Sequence, residues 1–511
     1  MPSTACEAEY HDVLIVGAGI SGIGAAYYLQ RDHPRRSYAI LEARGGLGGT
    51  WDLFRYPGIR SDSDLQTFGY EFKPWRDDDA IAAGGKILDY LRETAAEYGI
   101  DRHIRFRTKA VSASWSPRQA RWTVRTEDTE SGEQRTLTCS WLFCAAGYYR
   151  YDEGFTPRFE GRERFQGSII HPQHWPENFD YSGQRIIVIG SGATAVTLVP
   201  ALAERAAHVV MLQRTPSYIL PVPSKDKLAI RLRSLLGERR GFAAARRKNI
   251  MRQQAIWRFC RRFPGAARRI IRHYNAKMLP AGYPVDEHFN PPYSPWDQRL
   301  CAVPNGDLFR AIRKGTASVV TDRIETVTEK GVRLASGREL TADVIVTATG
   351  LTVQAMGAMT LDVDGHAVRF ADAVAYKGMM LSGVPNFAYA IGYTNSSWTL
   401  KVGLLCEHFC RLLAHMDAHG YDTARPVVAN QDMRLRPFLD FGAGYIKRAI
   451  DQLPRQGDQA PWLTSLNYAG DVKLLRKLPV EDTQLVLSSR AADCGEAESA
   501  AAAADPARAQ V

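Results

Sequence analysis

The chain has 511 residues, of which 45% are hydrophobic, and it carries a formal net charge of +10 at pH 7. A chain of this length is expected to form about three domains with several hydrophobic cores, and no run of apolar residues is long enough to span a bilayer. The eight cysteines are scattered and contain no CxxC pair, which argues against a disulfide framework and is typical of reduced thiols.

The first predicted element is a strand at Val13–Val16 that leads directly into a glycine-rich turn and a helix. The turn contains Gly17, Gly19 and Gly22. The first glycine permits a tight turn, the second lets the backbone approach a pyrophosphate, and the third lets the helix pack closely on the strand. A second strand, Tyr38–Leu41, ends at Glu42, whose carboxylate can accept hydrogen bonds from a ribose 2′-OH. This pattern predicts a site for a nucleotide without a 2′-phosphate, such as FAD or NAD.

The stretch GGLGGTW, residues 45–51, follows closely and predicts a second flexible backbone loop beside the same cofactor. Its expected cofactor contacts are Gly49, Thr50 and Trp51. Further along, the strands Trp141–Cys144 and Val344–Thr347 end in CAAG and TATG, and we interpret each as closing one nucleotide-binding unit. A plain buried strand followed by a turn would give the same pattern.

A second glycine-rich turn begins at Gly190 and again lies between a strand and a helix. Its expected cofactor contacts are Gly190, Ser191, Gly192, Ala193 and Thr194. After the next strand, Val209–Leu212, the chain offers Arg214 and Thr215 instead of an acid. A guanidinium can bind phosphate oxygens in a bidentate manner, whereas a carboxylate would repel a 2′-phosphate. The second turn therefore predicts an NADPH site, and two different nucleotides on one chain indicate electron transfer between cofactors.

Residues 222–300 lack strand-like alternation and are rich in Arg, Ala, Leu and Ile, which predicts a helical insertion. Between Lys225 and Arg272 there are sixteen Lys and Arg residues against two acids, an excess larger than the net charge of the whole chain. Interleaved apolar residues make these helices amphipathic, as in helices that lie on anionic membranes. A solvated basic face that steers NADPH would explain the same charge. We do not expect nucleic-acid binding, because no recognition motif accompanies the charge.

Between the two turns, residues 165–176 read FQGSIIHPQHWP, with an aromatic residue, a glycine, a histidine and a tryptophan at fixed spacing. These are Phe165, Gly167, His171 and Trp175. They match the FxGxxxHxxxW(P) fingerprint of class B flavoprotein monooxygenases of the Baeyer–Villiger type, which the chain resembles from about residue 10 to about residue 480. GGTWDLFRYPGIRSD, residues 48–62, matches a second motif of that family, and PWDQRL and GYTNSSWTLK are most similar to its ethionamide-activating subgroup.

The resemblance implies an α/β fold with two Rossmann-like dinucleotide-binding domains, one for FAD and one for NADPH, the second carrying the helical insertion. The expected FAD domain comprises residues 1–150 and 351–487, and the expected NADPH domain comprises residues 151–221 and 301–350. Residues 222–300 form the insertion, and the Ala-rich residues 488–511 are expected to be a disordered tail.

The resemblance also implies the reaction. NADPH reduces the flavin, O₂ gives a C4a-peroxyflavin, and one oxygen atom enters a ketone to form an ester or lactone. Arg299 is the implied cation beside the reacting oxygen, and Asp62 is the carboxylate that holds it and also lies beside the cofactors. Arg299 acting only as a phosphate clamp, and Asp62 acting as a helix cap, are the alternatives. His171 titrates near neutral pH, but its place in the family's domain connector favours a structural or gating role.

The implied substrates are ketones and sulfur compounds such as thioethers and thioamides, together with O₂. An N- or S-oxygenating flavin monooxygenase without ketone activity is the alternative enzyme, and an uncoupled NADPH oxidase or a membrane-bound binding protein is the alternative outside that class. No metal site is expected, because Cys406 and Cys410 have no further ligand at suitable spacing. Acidic residues before the first strand predict no targeting signal, so we expect a cytoplasmic protein whose insertion can contact the membrane surface.

Overall fold

The chain forms two large sheets, one behind each glycine-rich turn: the first is mixed, and the second is parallel. A computed structural model describes residues 8–298, 300–430, 432–439, 442 and 444–490. Arg299, the predicted catalytic cation, lies outside the described residues, as do residues 1–7 of the expected FAD domain and residues 491–511 of the expected tail.

The strands are β1 (Glu9–Val16), β2 (Tyr38–Leu41), β3 (Ile104–Arg105), β4 (Thr108–Ser116), β5 (Arg121–Asp128), β6 (Gln134–Cys144), β7 (Ser168–Ile170), β8 (Arg185–Ile189), β9 (His208–Gln213), β10 (Ile219–Val222), β11 (Cys301–Pro304), β12 (Ala317–Thr321), β13 (Ile324–Thr328), β14 (Gly331–Leu334), β15 (Glu339–Thr341), β16 (Val344–Thr347), β17 (Thr360–Val363), β18 (His366–Ala367), β19 (Ala375–Tyr376), β20 (Met380–Leu381), β21 (Phe387–Tyr389), β22 (Thr423–Pro426), β23 (Arg436–Pro437), β24 (Arg455–Gln456) and β25 (Leu485–Ser488).

The helices are α1 (Ile20–Asp32), α2 (Thr50–Leu53), α3 (Leu65–Phe68), α4 (Gly84–Glu97), α5 (Ala193–Leu202), α6 (Lys227–Leu236), α7 (Glu238–Arg262), α8 (Pro264–Met278), α9 (Val285–His288), α10 (Asp307–Arg313), α11 (Trp398–His419), α12 (Gly444–Arg448) and α13 (Tyr468–Asp471).

The first sheet has the strand order β18-β17-β4-β5-β6-β1-β2-β3, and β21 also pairs with β6. Strand β1 lies between β2 and β6 and is parallel to both. Its last four residues, Val13–Val16, are buried, because Val13 and Ile15 pack with α1 and α11 on one face and Leu14 and Val16 belong to a second apolar core on the other. The strand begins four residues earlier than its apolar run predicted, since the exposed residues from Glu9 onward continue the backbone pairing with β6.

The second sheet has the order β12-β9-β8-β16-β7, and all its strand pairs are parallel. Its strands come from both sides of the insertion, since β7–β9 precede it and β12 and β16 follow it. The apolar core against this sheet includes Val188 of β8, Leu198 of α5 and Val346 of β16. The sheet therefore brings two distant segments of the chain together around the second glycine-rich turn.

The predicted helical insertion is confirmed, because α6, α7, α8 and α9 fill the segment between β10 and β11. These two strands pair in parallel, with Val222 opposite Pro304, so the insertion leaves and rejoins the second unit at one place. None of the described helices combines the length and apolar character needed to cross a bilayer.

Part of the expected tail is hydrogen-bonded. Ser488 pairs with Thr423 in the strand pair β22–β25, and the Arg490 N–H donates to the Asp422 carboxylate at 2.9 Å. Residues 488 and 490, at the start of the expected tail, are therefore paired with the chain at residues 423 and 422.

Candidate functional site

The first turn forms a cradle that only a backbone without side chains can provide. The Gly17 N–H donates to the Leu41 carbonyl at 2.8 Å, which joins the turn to β2. A Cβ on Gly22 would overlap the carbonyl oxygen of Gly17. Helix α1 begins after Gly19, where no side chain caps the helix, so its first N–H groups remain available for a pyrophosphate.

Glu42 lies at the carboxyl end of β2 and is buried, with 5% of its surface exposed. One carboxylate oxygen accepts the Ala18 N–H at 2.8 Å and the other accepts the Arg44 N–H at 2.9 Å. Burial raises the pKa of Glu42, and these two backbone hydrogen bonds oppose the shift. Each carboxylate oxygen retains a further lone pair, so the side chain is held in place and can still accept a ribose hydroxyl.

The loop at residues 45–51 packs against the same turn. A Cβ on Gly49 would lie 3.2 Å from the Gly19 Cα and 3.2 Å from the Tyr151 hydroxyl, so the two backbone segments approach closely here. The Thr50 hydroxyl lies 3.5 Å from the Tyr151 hydroxyl, and the Trp51 ring meets Phe68 edge-on with centroids 5.6 Å apart. The predicted contacts Gly49, Thr50 and Trp51 thus line one side of the first turn.

The second turn repeats the backbone geometry of the first. The Gly190 N–H donates to the Leu212 carbonyl at 2.8 Å, as Gly17 does to Leu41. Helix α5 begins after Gly192, again without a side-chain cap. The Ser191 hydroxyl donates to the Thr215 carbonyl at 2.9 Å, which fixes the loop after β9 beside the turn. Ala193 and Thr194 form the first residues of α5.

The loop after β9 carries the cation that the sequence predicted for the 2′-phosphate. Arg214 is exposed, and its guanidinium forms no hydrogen bond or ion pair within the described part of the chain. Gln213, the residue before it, is buried, and its amide donates to the His288 carbonyl at 2.8 Å and to the Thr321 hydroxyl at 2.9 Å. Gln213, which occupies the position of the expected acid, therefore points into the protein. Arg214 is exposed to solvent beside the turn.

The motif at residues 48–62 runs from the first turn to the helix of the second. A Cβ on Gly58 would lie 2.8 Å from the Thr197 carbonyl oxygen of α5. Tyr56 is buried in the apolar core of the second sheet, and burial raises the pKa of its hydroxyl. Beyond them, Arg60 forms a short ion pair with Asp307, at the start of α10. One segment thus contacts both nucleotide-binding units.

Asp62 ends this motif and is half-buried. Helix α3 follows it, and the residue that caps α3 is Asp64, which accepts the Thr67 N–H at 3.1 Å. Asp64 also accepts the Asn249 amide of α7 at 2.8 Å. The alternative role of Asp62 as the helix cap is therefore wrong, because Asp64 fills that role.

The segment that carries Arg299 is anchored on both sides. The Cys301 N–H donates to the Tyr218 carbonyl at 2.8 Å, and the Gly442 N–H donates to the Asp297 carbonyl at 3.0 Å. These bonds attach Cys301 to the residue before β10 and Asp297 to the loop before α12. Asp62 and Arg299 as a catalytic pair stay a prediction.

The fingerprint segment lies where the chain passes between the two sheets. His171 accepts the Gln173 N–H at its Nδ1 (3.2 Å), and its Nε2 lies 3.3 Å from the carbonyl of Gly350, in the turn that follows β16. Burial lowers the pKa of His171, so the neutral ring donates from Nε2. Both nitrogens are occupied by backbone groups, which favours a structural role over proton transfer.

The other fingerprint residues pack around this connection. A side chain on Gly167 would overlap the Asp343 carbonyl oxygen and the Phe165 ring. Trp175 meets Phe179 and Tyr181 edge-on, with centroids 6.0 and 6.2 Å apart. All three contacts hold the segments on either side of β7, the last strand in the order of the second sheet, in place.

Three polar residues escaped the sequence analysis. The buried Gln173 amide donates to the Arg150 and Tyr151 carbonyls at 3.0 and 2.8 Å, which ties the fingerprint to the end of the first unit. Asn249 and Gln253 of α7 both reach the Asp64 carboxylate. The only sequence signal for Gln173 was its place directly after His171 and Pro172 of the fingerprint. No sequence signal marked Asn249 or Gln253. Within the described residues, no cluster of three or more His, Cys, Asp or Glu side chains could hold a metal ion.

Comparisons with known proteins agree with this geometry. A family model described as flavin-binding monooxygenase-like matches residues 70–243, and a model described as an NAD(P)-binding Rossmann-like domain matches residues 15–77. The chain is 54% identical over 488 residues to the FAD-containing monooxygenase EthA of Mycobacterium tuberculosis strain H37Rv. That alignment covers 95% of this chain and 99% of the relative.

Two solved structures share the fold. An oxidized steroid monooxygenase bound to NADP has a TM-score of 0.73 at 22% identity, and the match covers 94% of this chain and 100% of that one. A cyclohexanone monooxygenase with bound ε-caprolactone has a TM-score of 0.72 at 20% identity, with coverage of 94% and 100%. These likenesses confirm the predicted α/β fold with two dinucleotide-binding domains. With 54% identity to EthA across almost its whole length, the chain belongs to the FAD-containing monooxygenases.

Proposed function

We propose that the protein is an FAD- and NADPH-dependent monooxygenase of the Baeyer–Villiger type. It inserts one oxygen atom of O₂ into a ketone to give an ester or lactone, and it oxidises thioethers or thioamides at sulfur. The observation that carries the proposal is the contrast between the two turns, where a buried Glu42 lies at the first and an exposed Arg214 at the second. One motif, residues 48–62, contacts both nucleotide-binding units, which supports placing the two cofactors close together.

The residues of the first turn fit FAD. The uncapped start of α1 would bind the pyrophosphate, Glu42 would accept the ribose hydroxyls, and Gly49 lets its loop approach the turn at Gly19. At the second turn, the start of α5 would bind the pyrophosphate of NADPH, and Arg214 with Thr215 would bind the 2′-phosphate. The two cofactors, when bound, would supply hydride transfer and the activation of O₂.

The chain's own side chains would provide a positive charge at the reacting oxygen and would hold the reacting groups in position. Arg299 supplies a fixed positive charge beside the reacting oxygen, where a water-poor site strengthens it. Asp62 would hold that guanidinium in place and tune it. The ring of His171 holds the connector between the units in one position through its two backbone hydrogen bonds.

Two observations, one on this chain and one on a related structure, support ketones as substrates. The fingerprint at residues 165–176 matches the Baeyer–Villiger pattern. A structure with the same fold is a cyclohexanone monooxygenase that contains ε-caprolactone, which is cyclohexanone with one oxygen atom inserted into its ring.

A panel of linear, cyclic and aryl ketones, analysed by gas chromatography, tests the proposal. NADPH consumption and hydrogen peroxide are recorded in the same reactions, so that uncoupled oxidation is measured separately. We expect esters or lactones that account for most of the NADPH consumed. Sulfoxide from a thioether without ester from any ketone would identify an N- or S-oxygenating monooxygenase instead.

We also propose that the insertion contacts anionic membrane surfaces from a reducing, cytoplasmic compartment. Many of the exposed large apolar side chains lie among its arginines: Leu228, Leu235, Leu236, Met251, Ile256, Phe259, Phe263, Ile270 and Tyr274. Apolar side chains beside cations favour the interface of an anionic bilayer. The six described cysteines are buried and none forms a disulfide, which is typical of a reducing compartment.

Vesicle flotation tests this contact. We expect binding to anionic vesicles that weakens with salt, and loss of binding in Leu235→Ser/Leu236→Ser. The control is Leu435→Ser/Leu466→Ser, which removes two exposed leucines elsewhere on the surface. Equal flotation with neutral and anionic vesicles, or equal loss in both variants, would contradict the proposal.

A further inference from the structure

A groove with a cavity volume of about 630 Å³ lies between helix α7 of the insertion and the first unit. None of its lining residues belongs to the two glycine-rich turns, to the motif at residues 48–62 or to the fingerprint. Its volume falls within the range of small-molecule sites. The groove is therefore separate from the residues assigned to FAD and NADPH.

One wall of the groove is aromatic. The rings of Tyr27 and Phe72 are stacked with centroids 3.4 Å apart, and Tyr98 meets them edge-on at 4.8 and 5.6 Å. All three side chains are half-buried, so each leaves part of its ring facing the groove. Such a wall offers a flat apolar surface to an alkyl or aryl group.

The opposite wall is one face of α7 and is cationic. Arg239 and Arg247 lie two turns apart on this face and are exposed. Among the residues that the structure describes, neither has a hydrogen-bond or ion-pair partner for its guanidinium. Ile250 and Met251 continue the same face with apolar surface.

A third arginine lies at the bottom of the groove. Arg246 is buried, with 6% of its surface exposed, and one of its terminal nitrogens, Nη1, donates to the carbonyls of Gln66, Thr67 and Gly69 at 3.1, 3.0 and 2.8 Å. No carboxylate of the described chain pairs with it. Its partners are neutral carbonyls, so its positive charge is not cancelled and adds a positive potential to the groove. A buried charge without a counter-ion is also costly, which favours an anion nearby.

The groove has one acidic lining residue, Glu71, which shares the Arg476 guanidinium with Glu407 and so offsets only one of the groove's three positive charges. Glu71 accepts the Arg476 guanidinium at 2.7 Å. The groove thus combines three cations that lack an anionic partner with an aromatic wall, and it is complementary to a molecule with one anionic end and an apolar body.

We propose that this groove binds an amphiphilic carboxylate, such as a free medium-chain fatty acid. The carboxylate pairs with Arg239 and Arg247, and the chain lies along the rings of Tyr27 and Phe72. A site for such a ligand goes beyond the oxygenation reaction and does not depend on the proposed ketone activity. Arg246 connects the occupied groove to the backbone at residues 66–69, close after Asp62 in the chain.

Titration calorimetry of the FAD-bound enzyme with sodium dodecanoate, below its micellar concentration and with NADP⁺ saturating, tests the proposal. We expect one saturable site whose affinity falls by about tenfold or more in Arg239→Gln/Arg247→Gln, since each arginine contributes a charge-assisted contact. The matched control is Arg252→Gln/Arg269→Gln, which removes the same charge from exposed arginines of the insertion that do not line the groove.

Ala243→Trp provides a second, steric variant, because Ala243 is an exposed lining residue whose enlargement fills the groove. It should abolish dodecanoate binding, while FAD content and NADPH oxidation stay at the wild-type level. Undiminished binding in either groove variant, or equal weakening in the groove and control pairs, would overturn the proposal. Competition by dodecyltrimethylammonium would do so too, because a cationic amphiphile cannot use the arginines.

Discussion

Glu42 and Gln213 occupy equivalent positions in the two nucleotide-binding units but point in opposite directions. Each follows a leucine whose carbonyl accepts the N–H of the first glycine of its turn. Glu42 faces its turn and accepts the Ala18 N–H, whereas Gln213 turns inward to the His288 carbonyl. The same backbone therefore offers an acceptor for ribose hydroxyls at one site and leaves the other to Arg214.

Replacing Arg214 should change the choice between NADPH and NADH. Arg214→Ala removes a charge-assisted contact that only the 2′-phosphate can use, so the preference for NADPH should fall about 10- to 150-fold. Steady-state kcat/KM with each nucleotide measures it. Arg338→Ala is the control, since Arg338 is an exposed arginine in the hairpin of the same unit. An unchanged preference would show that another residue binds the 2′-phosphate.

Replacing Glu42 should weaken FAD and alter its pH dependence. Burial raises the pKa of Glu42, so its carboxylate should be protonated at a higher pH than that of an ordinary glutamate. As the pH is lowered, FAD affinity should begin to fall at that higher pH. Glu42→Gln should weaken FAD about tenfold or more at neutral pH and remove most of this acid-side fall. Fluorescence titration of the apoprotein with FAD measures both. A Gln variant with wild-type affinity at neutral pH would refute the role of the carboxylate.

Enlarging Gly58 should disturb the contact between the two units. In Gly58→Ala, the new Cβ lies 2.8 Å from the Thr197 carbonyl oxygen, and such overpacking costs about 1–3 kcal/mol. We expect a lower Tm and slower flavin reduction by NADPH in stopped-flow absorbance, with FAD still bound. Gly132→Ala is the matched control, because Gly132 has a similar φ of +73° and no atom within 4 Å of the added Cβ. Equal effects in both variants would mean that backbone strain alone is responsible.

The sequence predicted the parts of the site that depend on neighbouring residues. The turns at Gly17 and Gly190 follow from a strand, a few glycines and a helix, so their chemistry is local. The contacts of α7 are not local, since Arg246 reaches Gly69 and Asn249 reaches Asp64, 177 and 185 residues away. No periodicity in a basic helix reveals which distant carbonyl or carboxylate it will meet.

Side-chain direction was the other quantity beyond the reach of the sequence. Both Gln213 and Arg214 are polar residues after β9, and only the structure shows that the glutamine is buried and the arginine exposed. The lengths of β1 and β6 were underestimated for a related reason, whereas the predicted strands Tyr38–Leu41 and Val344–Thr347 match β2 and β16. Backbone pairing of β1 with β6 continues through exposed residues such as Glu9 that the apolar pattern does not mark.

Replacing Arg299 should separate oxygenation from cofactor reduction. Arg299→Ala should still bind FAD and accept hydride, but ester formation should fall by about 10²–10³-fold while hydrogen peroxide release rises, because a preorganised charge is lost. Arg261→Ala is the control. Arg261 is an exposed arginine of α7 that pairs at 2.9 Å with Asp297, which is close to Arg299 in the chain. Wild-type ester yields from Arg299→Ala would remove this residue from the mechanism.

The fate of molecular oxygen tests the proposed activity most directly. The purified enzyme, NADPH and a simple ketone such as 2-octanone or cyclohexanone are incubated under ¹⁸O₂, and the product is analysed by gas chromatography and mass spectrometry. The account predicts an ester or lactone that carries a single ¹⁸O atom at the inserted, bridging position, formed in step with NADPH consumption. NADPH consumption that yields only labelled hydrogen peroxide across the ketone panel, or labelled sulfoxide from a thioether with no ester, would contradict it.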